Sequence, residues 1–155
     1  MKTKIHLTTP LTPELYCNDI KVSLHFYTQI LGFEIQYQRE EDGFAMLQRQ
    51  GARIMLDQIA PGSVRTWVVA PLEAPFGRGI NLQIETDRVD ELYECVQENS
   101  AQIFLPMEEK WYRCDDIYLG NRQFIVQDPD GYLLRFFQAL GSRRDLIHPN
   151  EGPLN

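Results

Sequence analysis

The sequence predicts an α+β chain of two tandem βαβββ modules, whose curved mixed sheets surround a shared cleft. Three observations lead there. The first is a repeated order, strand, helix, three strands, in residues 11–58 and again in residues 80–139, with Leu15 and Ile84 in matching places. The second is residues 59–79, where Pro61, Gly62, Pro71, Pro75, Gly77 and Gly79 mark a connecting loop. The third is residues 123–137, which read as strand, tight turn, strand around Asp128-Pro129-Asp130-Gly131. Pro129 presets φ, Asp130 can bond local backbone and Gly131 can take a positive φ. One such module alone would leave its sheet face poorly covered, so the two must share a core.

Each element has its own signal. Residues 1–10 are polar and end at Pro10, with Pro13 behind it, and predict an extended N-terminal arm that either frays or packs on a partner subunit. Residues 14–17 form a short strand. Asn18 or Asp19 caps a helix carrying Leu24, Tyr27, Ile30 and Leu31 on one face, and Gly32 stops it. Phe33, Ile35 and Tyr37 alternate on one face of the next strand, Glu41-Asp42-Gly43 turns, and strands follow at 44–48 and 53–58. The loop holds a short edge strand at residues 66–69. In the second module Ile80, Leu82 and Ile84 share a strand face, and Thr86 or Asp87 caps a helix with Val89, Leu92, Tyr93 and Val96 inward and Asn99 at its end. A strand at 102–105 stops at Pro106, a second covers 111–119 with an interruption near Asp115-Asp116, Gly120-Asn121 turns, and strands at 123–127 and 132–138 complete the module. Residues 140–155 are a polar tail that frays from Gly141.

Bulk properties remove whole classes of function. A net charge of −7 argues against a nucleic-acid partner, which needs a basic patch, and favours solubility and cationic small molecules. Cys17, Cys95 and Cys114 are scattered, with no CxxC or CxxH spacing, so neither a disulfide framework nor a zinc knuckle is expected. Residues 1–10 lack an apolar secretory core, and no run is long enough to span a membrane. The expectation is a cytoplasmic protein. Ser23 has no histidine at catalytic spacing, and no glycine-rich phosphate loop is present. His6, His25 and His148 stand apart in the arm, the first helix and the tail, with no partner ligands beside them.

Residues 19–33, running Asp19, Ser23, Phe26-Tyr27 and Leu31-Gly32-Phe33, resemble the D-x-x-x-S-x-x-F-Y-x-x-x-L-G-F run of the glyoxalase/bleomycin resistance protein/dioxygenase (vicinal oxygen chelate) superfamily. Residues 84–92 resemble its second strand-to-helix entry, and residues 128–132 the turn before its last strand. Together these cover roughly residues 11–139. The resemblance implies the fold and a choice between metal enzymes and metal-free binders. Carried over one by one from Asp19, Asp90 and Gly131, the superfamily's metal positions fall on Thr12, Asn81 and Arg135, with a fourth at or next to Met55. Those side chains suit a divalent ion poorly, and a permanent guanidinium repels one. Asp57 is set aside as a substitute on the reading that it faces away from Met55. No metal and no cofactor are expected.

What remains works through shape, aromatic faces and charge. Trp111, Tyr112, Arg113 and Asp115 form the richest patch, either as a platform for a planar cationic ligand or with Trp111 and Tyr112 straddling an edge strand. Trp67 and Phe76, in the central loop, either touch the ligand or close the cleft or a dimer contact. Arg135 needs an anionic partner. Glu85 or Asp57 in an internal salt bridge is preferred, and the alternative is an anionic ligand with Arg113 and Arg122 helping. Asn81 completes the candidate set. The resemblance to the bleomycin-resistance branch implies a homodimer that sequesters a bleomycin-type glycopeptide in grooves between subunits, without turnover. The alternative is a metal-dependent glyoxalase or dioxygenase.

Overall fold

The computed structural model describes residues 9–63 and 66–144. The expected arm contact, His6 and His148 lie outside these residues. The first module runs β1 (Glu14–Cys17), α1 (Ile20–His25), β2 (Glu34–Arg39), β3 (Phe44–Arg49) and β4 (Ala52–Gln58). The second runs β5 (Asn81–Glu85), α2 (Val89–Glu98), β6 (Gln102–Cys114), β7 (Ile117–Gln127) and β8 (Leu133–Arg143). Each module forms one four-stranded sheet of the same order, β1-β4-β3-β2 and β5-β8-β7-β6, with the first and last strands parallel. The duplication is therefore real in register as well as in pattern: Leu15 pairs with Leu56 as Ile84 pairs with Phe136. Among the described residues no helix is long and apolar enough to cross a membrane.

Period-two alternation gives each sheet a core face and an open face. Leu15, Ala45, Leu47, Ile54 and Leu56 of one sheet join Ile84, Phe124, Val126, Leu134 and Phe136 of the other in a single core with Tyr27, Leu31, Val89 and Val96 from the helical segments. The Phe124 and Phe136 rings stack at 5.7 Å, and Tyr93 of α2 lies 5.0 Å from Phe124. Each buried large side chain contributes roughly 1.5–3 kcal/mol, so neither module would keep this core alone.

The two strongest motifs of the sequence meet in one buried network. Asp19 caps α1, accepting from the Lys21 amide at 2.9 Å. The following turns carry Ser23 and Tyr27 inward, α1 widening into a π-helical turn over Phe26–Ile30. Ser23 Oγ donates to Asp130 Oδ2 at 3.3 Å, and the Asn18 amide and side chain both donate to Asp130 Oδ1. Tyr27 Oη donates to Asp128 Oδ2 at 2.9 Å, while Asp128 Oδ1 takes the Asp130 and Tyr132 amides. Tyr132 Oη returns to the Tyr16 carbonyl at 2.9 Å. The Asp-Pro-Asp-Gly turn thus joins the last strand pair of one module to the helix entry of the other. Burial pushes the Asp128 carboxyl up to about 6, against the opposing effect of the Tyr132 amide and the Tyr27 hydroxyl. Gly131 has φ +99°, and a Cβ there would stand 2.4 Å from Pro75 Cβ, so the turn needs glycine for conformation and for space.

Several expectations are corrected. Residues 66–69 form no strand: the Trp67 and Val68 amides are satisfied by Tyr16 Oη and Thr66 Oγ1 instead of by a ladder. Neither Thr86 nor Asp87 occupies the cap of α2. Arg88 does, without a side-chain cap, because Asp87 is held by Gln50 and Gln138 Oε1 accepts the Val89 amide. Pro106 does not end its strand, since β6 is the sheet edge, where a missing donor is tolerated. The turn falls at Asp115-Asp116, with Asp115 at φ +53°, while Gly120-Asn121 lies inside β7 at a bulge. Gly120 provides room rather than a turn: a Cβ would meet the Trp111 ring at 2.6 Å. β8 continues through Gly141 to Arg143, paired with β7. In β2 a bulge between Ile35 and Tyr37 pairs Ile35 with Leu47 but Tyr37 with Met46, so Tyr37 leaves the face of Ile35 and joins the open face.

Candidate functional site

The open faces of the two sheets line two broad hollows. The first, about 730 Å3, is floored by β1, β2, β3 and β4 and rimmed by the central loop. Tyr16, Tyr37, Phe44 and Trp67 supply aromatic surface, and Glu14, Asp57, Glu41 and Asp42 supply carboxylates. Arg39 is the cation among these, and it is engaged: its Nε is 3.0 Å from Asp42 Oδ2 and its guanidinium lies 3.9 Å over the Phe44 ring. Asp57 follows Met55 by two residues and shares its face, contrary to the expectation that it points away; both line this hollow. Burial, and then the neighbouring Glu14 carboxyl, push the Asp57 carboxyl up from its ordinary value.

The second hollow, about 740 Å3, is floored by β5, β6, β7 and β8 and lined by Gln83, Tyr112, Leu119, Gly120, Asn121, Arg135, Phe137, Ala139, Gly141 and Ser142. No carboxylate is in that lining. Tyr112 Oη accepts from Gln123 Nε2 at 2.7 Å, and the same nitrogen donates to Glu108 at 2.8 Å. Arg135 lies between Gln83 of β5 and Ile125 of β7 in the ladder. The preferred internal salt bridge is not formed: among the described residues neither Glu85 nor Asp57 pairs with Arg135, and its Nε is buried without a hydrogen-bond partner. Glu85 stands opposite Phe137, two ladder positions further along, and Asp57 belongs to the other sheet. Arg122 is spoken for as well, bidentate on Asp90 at 2.6 and 2.9 Å and 3.5 Å from Glu109.

The sequence profile of the Glyoxalase/Bleomycin resistance protein/Dioxygenase superfamily matches residues 5–136. The chain belongs to this superfamily. It is 31% identical over 138 residues to the bleomycin resistance protein of Geobacillus stearothermophilus, which covers 84% of this chain and 96% of that protein. The bleomycin resistance protein of Staphylococcus aureus (strain N315) matches to the same extent. Among solved structures, TioX from Micromonospora sp. ML1 aligns with a TM-score of 0.64 at 20% identity, over 85% of this chain and 99% of that one. A protein of unknown function from Agrobacterium tumefaciens str. C58 aligns at 0.66 and 22%, over 83% and 92%. At these identities the two structures show the shared fold alone.

Within the superfamily framework the donor set does not fit a divalent ion. Met55 stands opposite Glu14, and Arg135 opposite Gln83, so the two occupy equivalent ladder positions in the two modules, as counted from the sequence. A thioether in one place and an unpaired guanidinium in the other, with Thr12 and Asn81 just ahead, are not hard-cation ligands. Among the described residues no group of three His, Cys, Asp or Glu side chains could hold a metal. His25 is exposed on α1.

The residues singled out from the sequence are dispersed. Tyr112 and Arg135 share the second hollow, and Trp67 lines the first. Trp111 takes the strand-straddling arrangement, lying over Gly120 with the Arg143 guanidinium 4.1 Å from its ring. Arg113 and Asp115 are exposed at the β6–β7 hairpin tip, and Asn81 is exposed at the start of β5. Phe76 is 2% exposed and packs edge-on to Tyr132 inside the core. Sequence reasoning missed Tyr16 and Glu14 and set Asp57 aside, although alternation along β1 and β4 places all three on one face with Met55. It also missed Tyr37, which the β2 bulge moves and for which no local signal exists.

Proposed function

We propose that this chain is a metal-free binding protein of the bleomycin-resistance type, which sequesters a planar, cationic small molecule without turnover. The observation that carries the reading is the first hollow, whose lining holds the aromatic side chains of Tyr16, Tyr37 and Trp67 together with four carboxylates, while Arg39 is already engaged by Asp42 and Phe44. Aromatic faces stack a flat heterocycle or attract a cation, and carboxylates compensate its charge. The overall charge of −7 adds long-range attraction. Trp67 and Tyr37 form the stacking surface, and Glu14 with Asp57 receives the charge. The identity to proteins named for bleomycin resistance supports a glycopeptide of that class as the ligand. A cytoplasmic homodimer, in which a second copy completes the hollow into a groove, is part of the same reading, since a sheet edge such as β6 or β2 benefits from cover.

Isothermal calorimetry with metal-free bleomycin tests it. Binding at micromolar concentration is expected, with about one ligand per hollow and at least several-fold weakening in Trp67→Ala. No heat at hundreds of micromolar sinks the drug assignment. Elemental analysis of the purified protein tests the metal-free part, and a stoichiometric divalent ion would overturn it.

A further inference from the structure

Resting on the reading of the first hollow as a cation site, we propose that Arg39 is its specificity-determining residue: the guanidinium lies on the Phe44 ring as a resident planar cation, and a ligand must displace it to reach that face. Pairing across the first sheet sets Arg39 opposite Phe44, Phe44 opposite Asp57 and Asp57 opposite Tyr16. Partners in a ladder project to the same face, so cation, ring, carboxylate and ring form one row across the floor of the hollow. The guanidinium is 3.9 Å from the Phe44 centroid, and its Nε donates to Asp42 Oδ2 at 3.0 Å. Phe44 lines the hollow and yet is only 6% exposed, with the guanidinium over its ring and the Tyr37 ring 6.0 Å away.

The contacts that hold Arg39 are weak ones. The Arg39 and Asp42 side chains are 48% and 59% exposed. An ion pair or a cation–π contact in such a setting stabilises little, so both are open to exchange. Among the described residues no other cation lines the hollow, against the carboxylates of Glu14, Glu41, Asp42 and Asp57. Burial, and then the Glu14 carboxyl, push Asp57 up, and Arg39 opposes them. The guanidinium therefore already gives Asp57 part of the compensation that a bound cation supplies. Swinging it aside uncovers a flat ring and leaves the carboxylates unbalanced. A neutral ring recovers the Phe44 face but not the charge, and a flexible ammonium recovers the charge but not the face. The class selected is an aryl amidinium or aryl guanidinium, whose charge is spread over a plane.

The test is NMR chemical-shift titration of the full chain with benzamidinium and with benzamide, a neutral molecule of the same shape. The native chain should prefer benzamidinium. Arg39→Gln should keep the fold and tighten both probes. Benzamide should gain about threefold to tenfold, the worth of the contacts that no longer have to be displaced. Benzamidinium should gain more, because a repelling charge has also gone. In a Phe44→Leu background the same substitution should no longer help benzamide. Weaker binding of benzamidinium to Arg39→Gln overturns the proposal, since the arginine would then be part of the binding surface. A gain confined to benzamidinium overturns it by reducing Arg39 to charge repulsion. It is also overturned by a benzamide gain that persists without the Phe44 ring, by an unfolded Arg39→Gln, or by no binding of either probe to either protein. Bleomycin separates this outcome from the assignment of the hollow. Binding of the drug to the native chain, with both probes unchanged in Arg39→Gln, refutes the role of Arg39 alone. A null result with bleomycin beside the expected gains refutes the drug assignment alone.

Discussion

Asp128→Asn should remove most of one specific pH dependence of stability. In the native chain burial raises the Asp128 carboxyl from 3.8 to about 6. A carboxyl with a raised folded value binds protons more tightly in the folded state than in the unfolded one, so its contribution to stability falls as pH rises from 3.8 through 6. The rise of about two pH units corresponds to about 3 kcal/mol. Asparagine keeps the Oδ1 acceptor for the Asp130 and Tyr132 amides and puts an amide nitrogen where Oδ2 faces Tyr27 Oη, which can then accept instead of donate. Urea unfolding of both proteins at one concentration, from pH 4 to pH 7.5, gives the comparison. The native chain should lose about 2.5 kcal/mol relative to the variant across that range, nearly all of it below pH 7. Parallel curves would show that the carboxyl is not perturbed. A difference of opposite sign would show that its three hydrogen bonds outweigh its burial.

Other consequences follow from the same joint and from the cysteines. Tyr27→Phe removes the hydroxyl that donates to Asp128 and should cost about 1.5–3 kcal/mol at neutral pH, read from urea midpoints, because the acceptor is a buried charge. Gly131→Ala sets a Cβ against Pro75 at a positive φ and should cost more than about 1 kcal/mol, visible as a melting temperature lowered by several degrees; an unchanged melt would refute the close approach. Burial pushes the Cys17 thiol up to about 12, while Cys114 is exposed at the hairpin tip. A disulfide reagent at pH 8 should therefore label Cys114 quickly and Cys17 only on unfolding, as peptide mapping would show.

The fold was legible because its signals are local and repeated. Alternation located the strands, Asp19 and Gly32 bounded the first helical segment, and the 128–131 turn carries its own geometry. The failures have physical causes. A bulge adds one residue and reverses a face, which alternation at Tyr37 could not reveal. Pro106 reads as a stop unless the strand is known to be an edge, and edge status is a property of the sheet. Gly120 looks like a turn residue when it is a seat for Trp111. The candidate site was legible in Arg135, whose position on the open face follows from parity. Its lack of a partner was not, because the distance from Glu85 depends on the register of β5 against β8. Phe76 and Trp67 lie in the same loop, yet one is core and the other surface, and composition cannot separate them.

The bracket between the Asp-Pro-Asp-Gly turn and the first helical segment lies within the core, on the side of each sheet turned away from the hollows. Assembly of the two halves and the lining of the open hollows therefore draw on separate sets of residues. Alternation keeps them apart: every second position of β4 and β8 faces the shared core, and the positions between face the hollows. Exchanging a metal ligand for Met55 or Arg135 leaves the bracket untouched. A scaffold divided in this way can change the chemistry of its open faces by single substitutions without having to relearn how to fold.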